Sequence, residues 1–130
     1  MEPRIQVITA AEISDSTAQT QNLHRFVAIS PAKMPMPGPS KLYMGRAVAP
    51  PHTNSGRHHH GEAETGGYCL RGRTRIYFGD NFEEFVEAGP GDFMYVPPHI
   101  PHIEANEWDE EFEGILVRSP ENIVVNLDEA

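Results

Sequence analysis

The sequence predicts an all-β domain, and three observations carry that prediction. Nine isoleucines and eight valines stand against five leucines, a bias toward side chains that suit a pleated sheet. Glycine and proline supply 23 of the 130 residues, enough for many tight turns. Between those turns run short apolar segments at the spacing of a sandwich or barrel. A chain of this length forms one ordinary core and needs no disulfide or metal to close it.

Taken in order, residues 5–8 read as a short strand, and residues 9–23 as a polar stretch with weak helical character. A second strand is expected over 25–30. Residues 31–40 carry Pro31, Pro35, Pro37 and Pro39, which remove backbone donors and fix φ, so they form an extended connector. The chain therefore divides into an N-terminal arm with its proline-rich connector, 1–40, and a barrel, 41–130. In the barrel, strands are expected over 42–49, 67–70, 73–78, 82–87, 92–96, 101–105, 112–118 and 122–127. Pro50-Pro51, Gly72, Gly79-Asp80-Asn81, Gly89-Pro90-Gly91 and Pro97-Pro98 separate most of them. The acidic run 107–113 reads as a solvated loop.

Ten basic against nineteen acidic residues give a net charge of −9 and a pI near 5.1. That excludes the basic patch that nucleic acid or an anionic membrane demands. One cysteine, Cys69, excludes an intrachain disulfide and any multi-cysteine metal site. There is no apolar leader segment at Met1–Ile5 and no apolar run near the ~18 residues of a membrane span, so a cytoplasmic protein is expected. The serine-hydrolase elbow, the phosphate loop, the dinucleotide fingerprint and the H-E-x-x-H motif are missing from the sequence.

What remains is a run of three histidines, His58-His59-His60. In an extended chain His58 and His60 share a face, with Cα atoms about 6–7 Å apart, so two imidazoles can converge on one divalent ion. A second segment runs from Gly91 to Asn106 and reads G-x5-P-x-H-x2-H-x3-N, through Pro97, His99 and His102.

At these residues the chain resembles the cupin family, whose second motif is G-x5-P-x-G-x2-H-x3-N. Its first motif, G-x5-H-x-H-x(3–4)-E-x6-G, is matched at His58, His60 and Gly72, without the leading glycine. The resemblance spans about residues 41–118. It implies a double-stranded β-helix, a small jelly-roll barrel that often holds a metal in its mouth. It also implies a homodimer formed through strands of the arm.

The acidic ligand of the first motif is ambiguous here. With four residues between it and His60 and six between it and Gly72 stands the small neutral Thr65, whereas Glu64 is one residue earlier. Adjacent strand residues face opposite sides, so the two alternatives exclude each other. With Glu64 inward, Tyr68 and Leu70 share its face; with Thr65 inward, Gly67 and Cys69 line the cavity. Glu64 is preferred, since a carboxylate offsets a divalent charge and threonine is a poor ligand. A bulge after Gly61 would bring it inward.

The expected ligand set is therefore His58, His60, Glu64 and His102, for Fe, Mn, Zn, Ni or Co. Two free positions would admit a small substrate that chelates through oxygen. Dioxygenase chemistry is the leading expectation. The alternatives are a redox-neutral isomerase, lyase or decarboxylase, and a binding protein without turnover. His99 is placed either at the cavity mouth or on an exposed loop. Arg71, Arg73 and Arg75 are read as a solvent face that could clamp an anion, Tyr68 and Tyr95 as core, and Cys69 as a small core residue. Trp108 is expected to cover the mouth or a subunit surface.

Overall fold

The computed structural model describes residues 5–16, 21–34 and 40–127. A short 3-10 turn, Ala10–Glu12, precedes β1 (Ser14–Ser16) and β2 (His24–Ile29). Then follow β3 (Tyr43–Ala49), β4 (Thr53–Asn54), β5 (His58–His59), β6 (Glu64–Arg71) and β7 (Thr74–Phe78). The chain continues through β8 (Glu84–Ala88), β9 (Phe93–Val96), β10 (Ile103–Asn106), β11 (Phe112–Ser119) and β12 (Val125–Asn126). No helix among the described residues is long and apolar enough to cross a membrane.

All pairings are antiparallel. One sheet runs β1-β2-β3-β11-β6-β9, a second runs β4-β10-β7-β8, and β12 pairs with β5. β1, β2 and β3 share the large sheet and β7 and β8 the second, while from β8 to β11 the chain crosses from one sheet to the other at each step around a shared interior. All eight strands expected in the barrel are present, the last reduced to Val125–Asn126. The arm's strand β2 lies in the large sheet, with Arg25 opposite Ala47. Residues 5–8 are not a strand. Ile5 and Val7 are exposed, and β1 already takes the edge beside β2. Within the connector, residues 35–39 lie outside the described residues.

Period-two burial is clearest on β11, where Phe112, Gly114, Leu116 and Arg118 face inward. Opposite them β3 contributes Ala49, Ala47, Gly45 and Tyr43 in register. Leu23, Ala47 and Leu116, with Ala49 against them, make the apolar end of the interior. One step beyond Leu116 along the inner face, Arg118 is paired on either side with Thr65 and Tyr43. Along β11 and β3 the interior therefore changes from apolar to polar.

The turn from β6 to β7 depends on Gly72, which has φ +73°. A Cβ there would sit 2.3 Å from the Glu111 carbonyl oxygen and 2.8 Å from the Phe112 Cα. Gly72→Ala should cost about 2 kcal/mol or more, from the left-handed backbone and the clash with main chain. A urea titration should show the lower midpoint, and an unchanged midpoint would contradict this account of the turn.

Candidate metal centre

His58, His59 and His60 alternate as the extended chain requires, with His58 and His60 buried and His59 turned outward. His58 and His102 form an antiparallel bridge in which each backbone N–H donates to the other's carbonyl, at 3.1 and 2.8 Å. Residues 44 positions apart are thereby direct cross-strand neighbours. The C-terminal segment braces the same strand, with Val125 opposite His59 and Asn126 opposite His58. The ring centroids of His58, His60 and His102 lie 4.4 to 5.1 Å apart.

The back of each ring is fixed in the same way. His58 Nδ1 is 3.1 Å from the Gly56 carbonyl, His60 Nδ1 is 2.7 Å from that of Ile123, and His102 Nδ1 is 2.8 Å from that of Ile100. A carbonyl only accepts, so each Nδ1 donates its hydrogen and, in the neutral ring, the lone pair is left on Nε2. One ligand atom from each of the three rings lies within 4.8 Å of the other two. Nε2 of His58 and of His102 are buried with no hydrogen-bond partner. Three buried imidazoles with anchored backs and converging lone pairs suit a divalent transition metal, and this trio could hold one.

The carboxylate expected from β6 is not there. Glu64 is exposed on the outer face, where its Oε1 accepts a hydrogen bond from the Tyr95 hydroxyl at 2.9 Å. The turn at Gly61-Glu62, where the Ala63 N–H donates to the His60 carbonyl at 2.9 Å, shifts the alternation by one residue, so Ala63 and Thr65 are buried after His60, and Gly67 and Cys69 follow on that face. Thr65 Oγ1 accepts from Arg118 Nε at 2.9 Å. The same guanidinium donates from Nη1 to Asn122 Oδ1 at 2.7 Å and from Nη2 to His60 Nε2 at 3.2 Å. Burial, with the charge of Arg25 beside it, lowers Arg118 to about 10, which leaves it charged at neutral pH.

Two charged residues of the site escaped the sequence reading. Glu104 stands two residues after His102, and its Oε2 lies 3.6 Å from His58 Nε2, buried and without a hydrogen-bond partner. Period-two alternation along β10 is the signal that could have found it. Arg118 gave no such signal, because it ends a run, Ile115-Leu116-Val117, that is apolar on both faces.

The other candidates fall outside the centre. His99 has φ +64° in the loop before His102, and its ring is 6.4 Å from that of His59 on the outer side. Arg71 pairs with Glu111 and Glu113, and Arg75 with Glu87 and Glu107, so both belong to surface ion pairs. Arg73 and Arg75 lie over the ring of Trp108, each 5.7 Å from its centroid. Cys69 is fully buried, with Sγ 3.4 Å from the Gly72 carbonyl. Tyr95 is 62% exposed and so is not core, and Tyr68 is half-buried against Phe93.

A groove of about 450 Å3 opens between β8 and β9 and reaches His102. Its walls are mainly apolar, from Ile76, Phe78, Val86, Met94 and Ile100. Met94 and Val96 also line a cavity of about 20 Å3 inside the barrel, beside Thr65 and Glu104.

Burial, with the charge of Arg118, pushes the His60 imidazole down to about 2, and burial also lowers His102. An unfolded histidine takes up its proton near pH 6.5. Below that value the unfolded chain binds more protons than the metal-free fold, so stability must fall as the solution is acidified. In EDTA, the urea midpoint should be lower at pH 5 than at pH 7.5. His60→Gln should reduce that difference, and an undiminished slope would remove His60 as its source.

No curated protein matches the sequence. Among solved structures, the polyketide cyclase RemF from Streptomyces resistomycificus superposes with a TM-score of 0.77 and 17% identity, over 98% of this chain and 88% of its own. Oxalate decarboxylase from Bacillus subtilis gives a TM-score of 0.73 and 16% identity, over 90% of this chain and 30% of its own. KdgF from Halomonas sp. gives 0.70 and 16%, over 92% of this chain and 96% of its own. At such identities the likeness is one of fold. Residues 45–118 match the cupin domain, and a match over more than half of the sequence makes this chain a member of the cupin family.

Proposed function

We propose that the chain is a metal-dependent enzyme acting on a small organic molecule that chelates the ion through oxygen atoms. The observation that carries this reading is the convergence of three buried imidazoles whose Nδ1 atoms are all committed to backbone carbonyls. His58, His60 and His102 would hold a divalent Fe, Mn, Zn, Ni or Co ion. When bound, such an ion polarises a ligating oxygen and can support chemistry with dioxygen.

The chain's own residues narrow the substrate. Arg118 places a permanent positive charge beside His60, which favours an anionic oxygen, a carboxylate or an enolate, at the centre. The groove walls of Ile76, Phe78, Val86 and Met94 suit an apolar body attached to that anionic end and exclude water from it. Dioxygenation stays the leading chemistry. A redox-neutral isomerase, lyase or decarboxylase is the second reading. It is favoured by Arg118, whose guanidinium would stabilise an enolate oxygen that such reactions develop.

Protein purified without a histidine tag should contain close to one transition-metal ion per chain, and His58→Ala/His60→Ala close to none. Absence of metal from the wild type, with no uptake on reconstitution, would end the enzymatic reading. With iron-loaded protein and a panel of catechol, diketone and oxo-acid chelators, oxygen consumption on turnover selects dioxygenation. Turnover without it selects the redox-neutral reading.

A homodimer is the assembly proposed for this chain. Leu70, Phe93 and Tyr95 are exposed together on the outer face of β6 and β9, and a two-fold pairing lets such a patch meet its own copy. Light scattering should give twice the 14.5 kDa of one chain, and Phe93→Arg should reduce it. A monomer at all concentrations would refute the pairing.

A further inference from the structure

We propose that Glu104 is the fourth protein ligand of the metal centre, so that the carboxylate enters from β10 rather than from β6. The proposal rests on the reading that the histidine trio holds a divalent ion. Glu104 Oε2 and His58 Nε2 face each other at 3.6 Å, too far for a hydrogen bond. The His58 hydrogen is committed to the Gly56 carbonyl through Nδ1, so both facing atoms present lone pairs. Both are buried and neither has a hydrogen-bond partner. Two such acceptors repel unless a cation lies between them, and a shared divalent ion removes that repulsion.

The backbone holds Glu104 in that position. The amide of Glu104 donates to Ser55 Oγ at 2.9 Å, and the amide of Ser55 donates to the Glu104 carbonyl at 2.9 Å. Strand β10 is thus tied to the loop that carries His58, and His102 is bridged to His58 one step away.

Charge balance points the same way. Three neutral imidazoles leave a divalent ion uncompensated. The β6 position carries Thr65 with the Arg118 guanidinium hydrogen-bonded to it, which adds positive charge there. Glu104 is the carboxylate that reaches one of the three imidazoles, and with it bound the ion and its ligands would carry one net positive charge, to which Arg118 adds its own.

Cobalt(II) titrations followed by calorimetry and visible absorption test the assignment without any substrate. Glu104→Gln should weaken binding at least about tenfold and change the absorption bands, because a ligand is lost. Glu64→Gln should leave both unchanged. Glu104→Asp retains the charge but withdraws the carboxylate by one methylene, and should give a shifted spectrum even where Glu104→Gln fails to fold. If His58→Ala/His60→Ala binds cobalt as the wild type does, the histidine reading itself fails. If that variant loses cobalt while Glu104→Gln, or Glu104→Asp in its place, matches the wild type in affinity and spectrum, only the Glu104 assignment is overturned.

Discussion

The rest of this structure depends on how three imidazoles are held inside a barrel. Burying a ring nitrogen without a partner is unfavourable, and a jelly-roll interior offers little water to relieve it. The fold resolves half of the problem by giving each Nδ1 a backbone carbonyl, from Gly56, Ile100 and Ile123. Those carbonyls come from three loops, so the ring orientations are set by main chain and not by neighbouring side chains that could re-pack. The other half of the problem is met for His60 by Arg118, and the Nε2 atoms of His58 and His102 are left for whatever binds.

That arrangement explains why a polar interior is tolerated in so small a domain. Leu23, Ala47 and Leu116 close one end of the barrel. The other end carries Arg118, Thr65, Tyr43, Arg25 and Glu104 around the histidines, arranged by strand register into facing rows. Positive charge from the arginines lies on the β2–β3–β11 side, and negative charge from Glu104 comes from the opposite sheet. The field across the cavity therefore runs from one sheet to the other, with the imidazoles between them. In the function proposed here the apolar groove, which reaches His102, would be the entrance, and the arginines would favour the anionic end of the substrate.

The β-rich composition, the turn residues and the two histidine motifs were legible because they depend on local rules. Alternation put His58 and His60 on one face, and it did so in the fold. The orientation of Glu64 was not legible, because the alternation that holds for His58 and His60 does not continue through the turn at Gly61-Glu62, after which Ala63 and Thr65 are the buried residues. The carboxylate that the structure does bring beside an imidazole is Glu104, on β10. Residues 5–8 failed for a different reason: apolar alternation marks a strand only where a neighbouring strand is available to pair with it.

By itself the sequence determined an all-β domain with a histidine-based centre, because side-chain period, turn chemistry and ligand type are properties of short segments. Only the tertiary structure decided which charges surround that centre. Glu104 and Arg118 are far from His58 and His60 along the chain, and it is the pairing of β11 with β6 and the bridge from His58 to His102 that bring them into contact. Strand register is a long-range quantity, set by how two sheets close on each other. A shift of one residue would have turned either charge out to solvent.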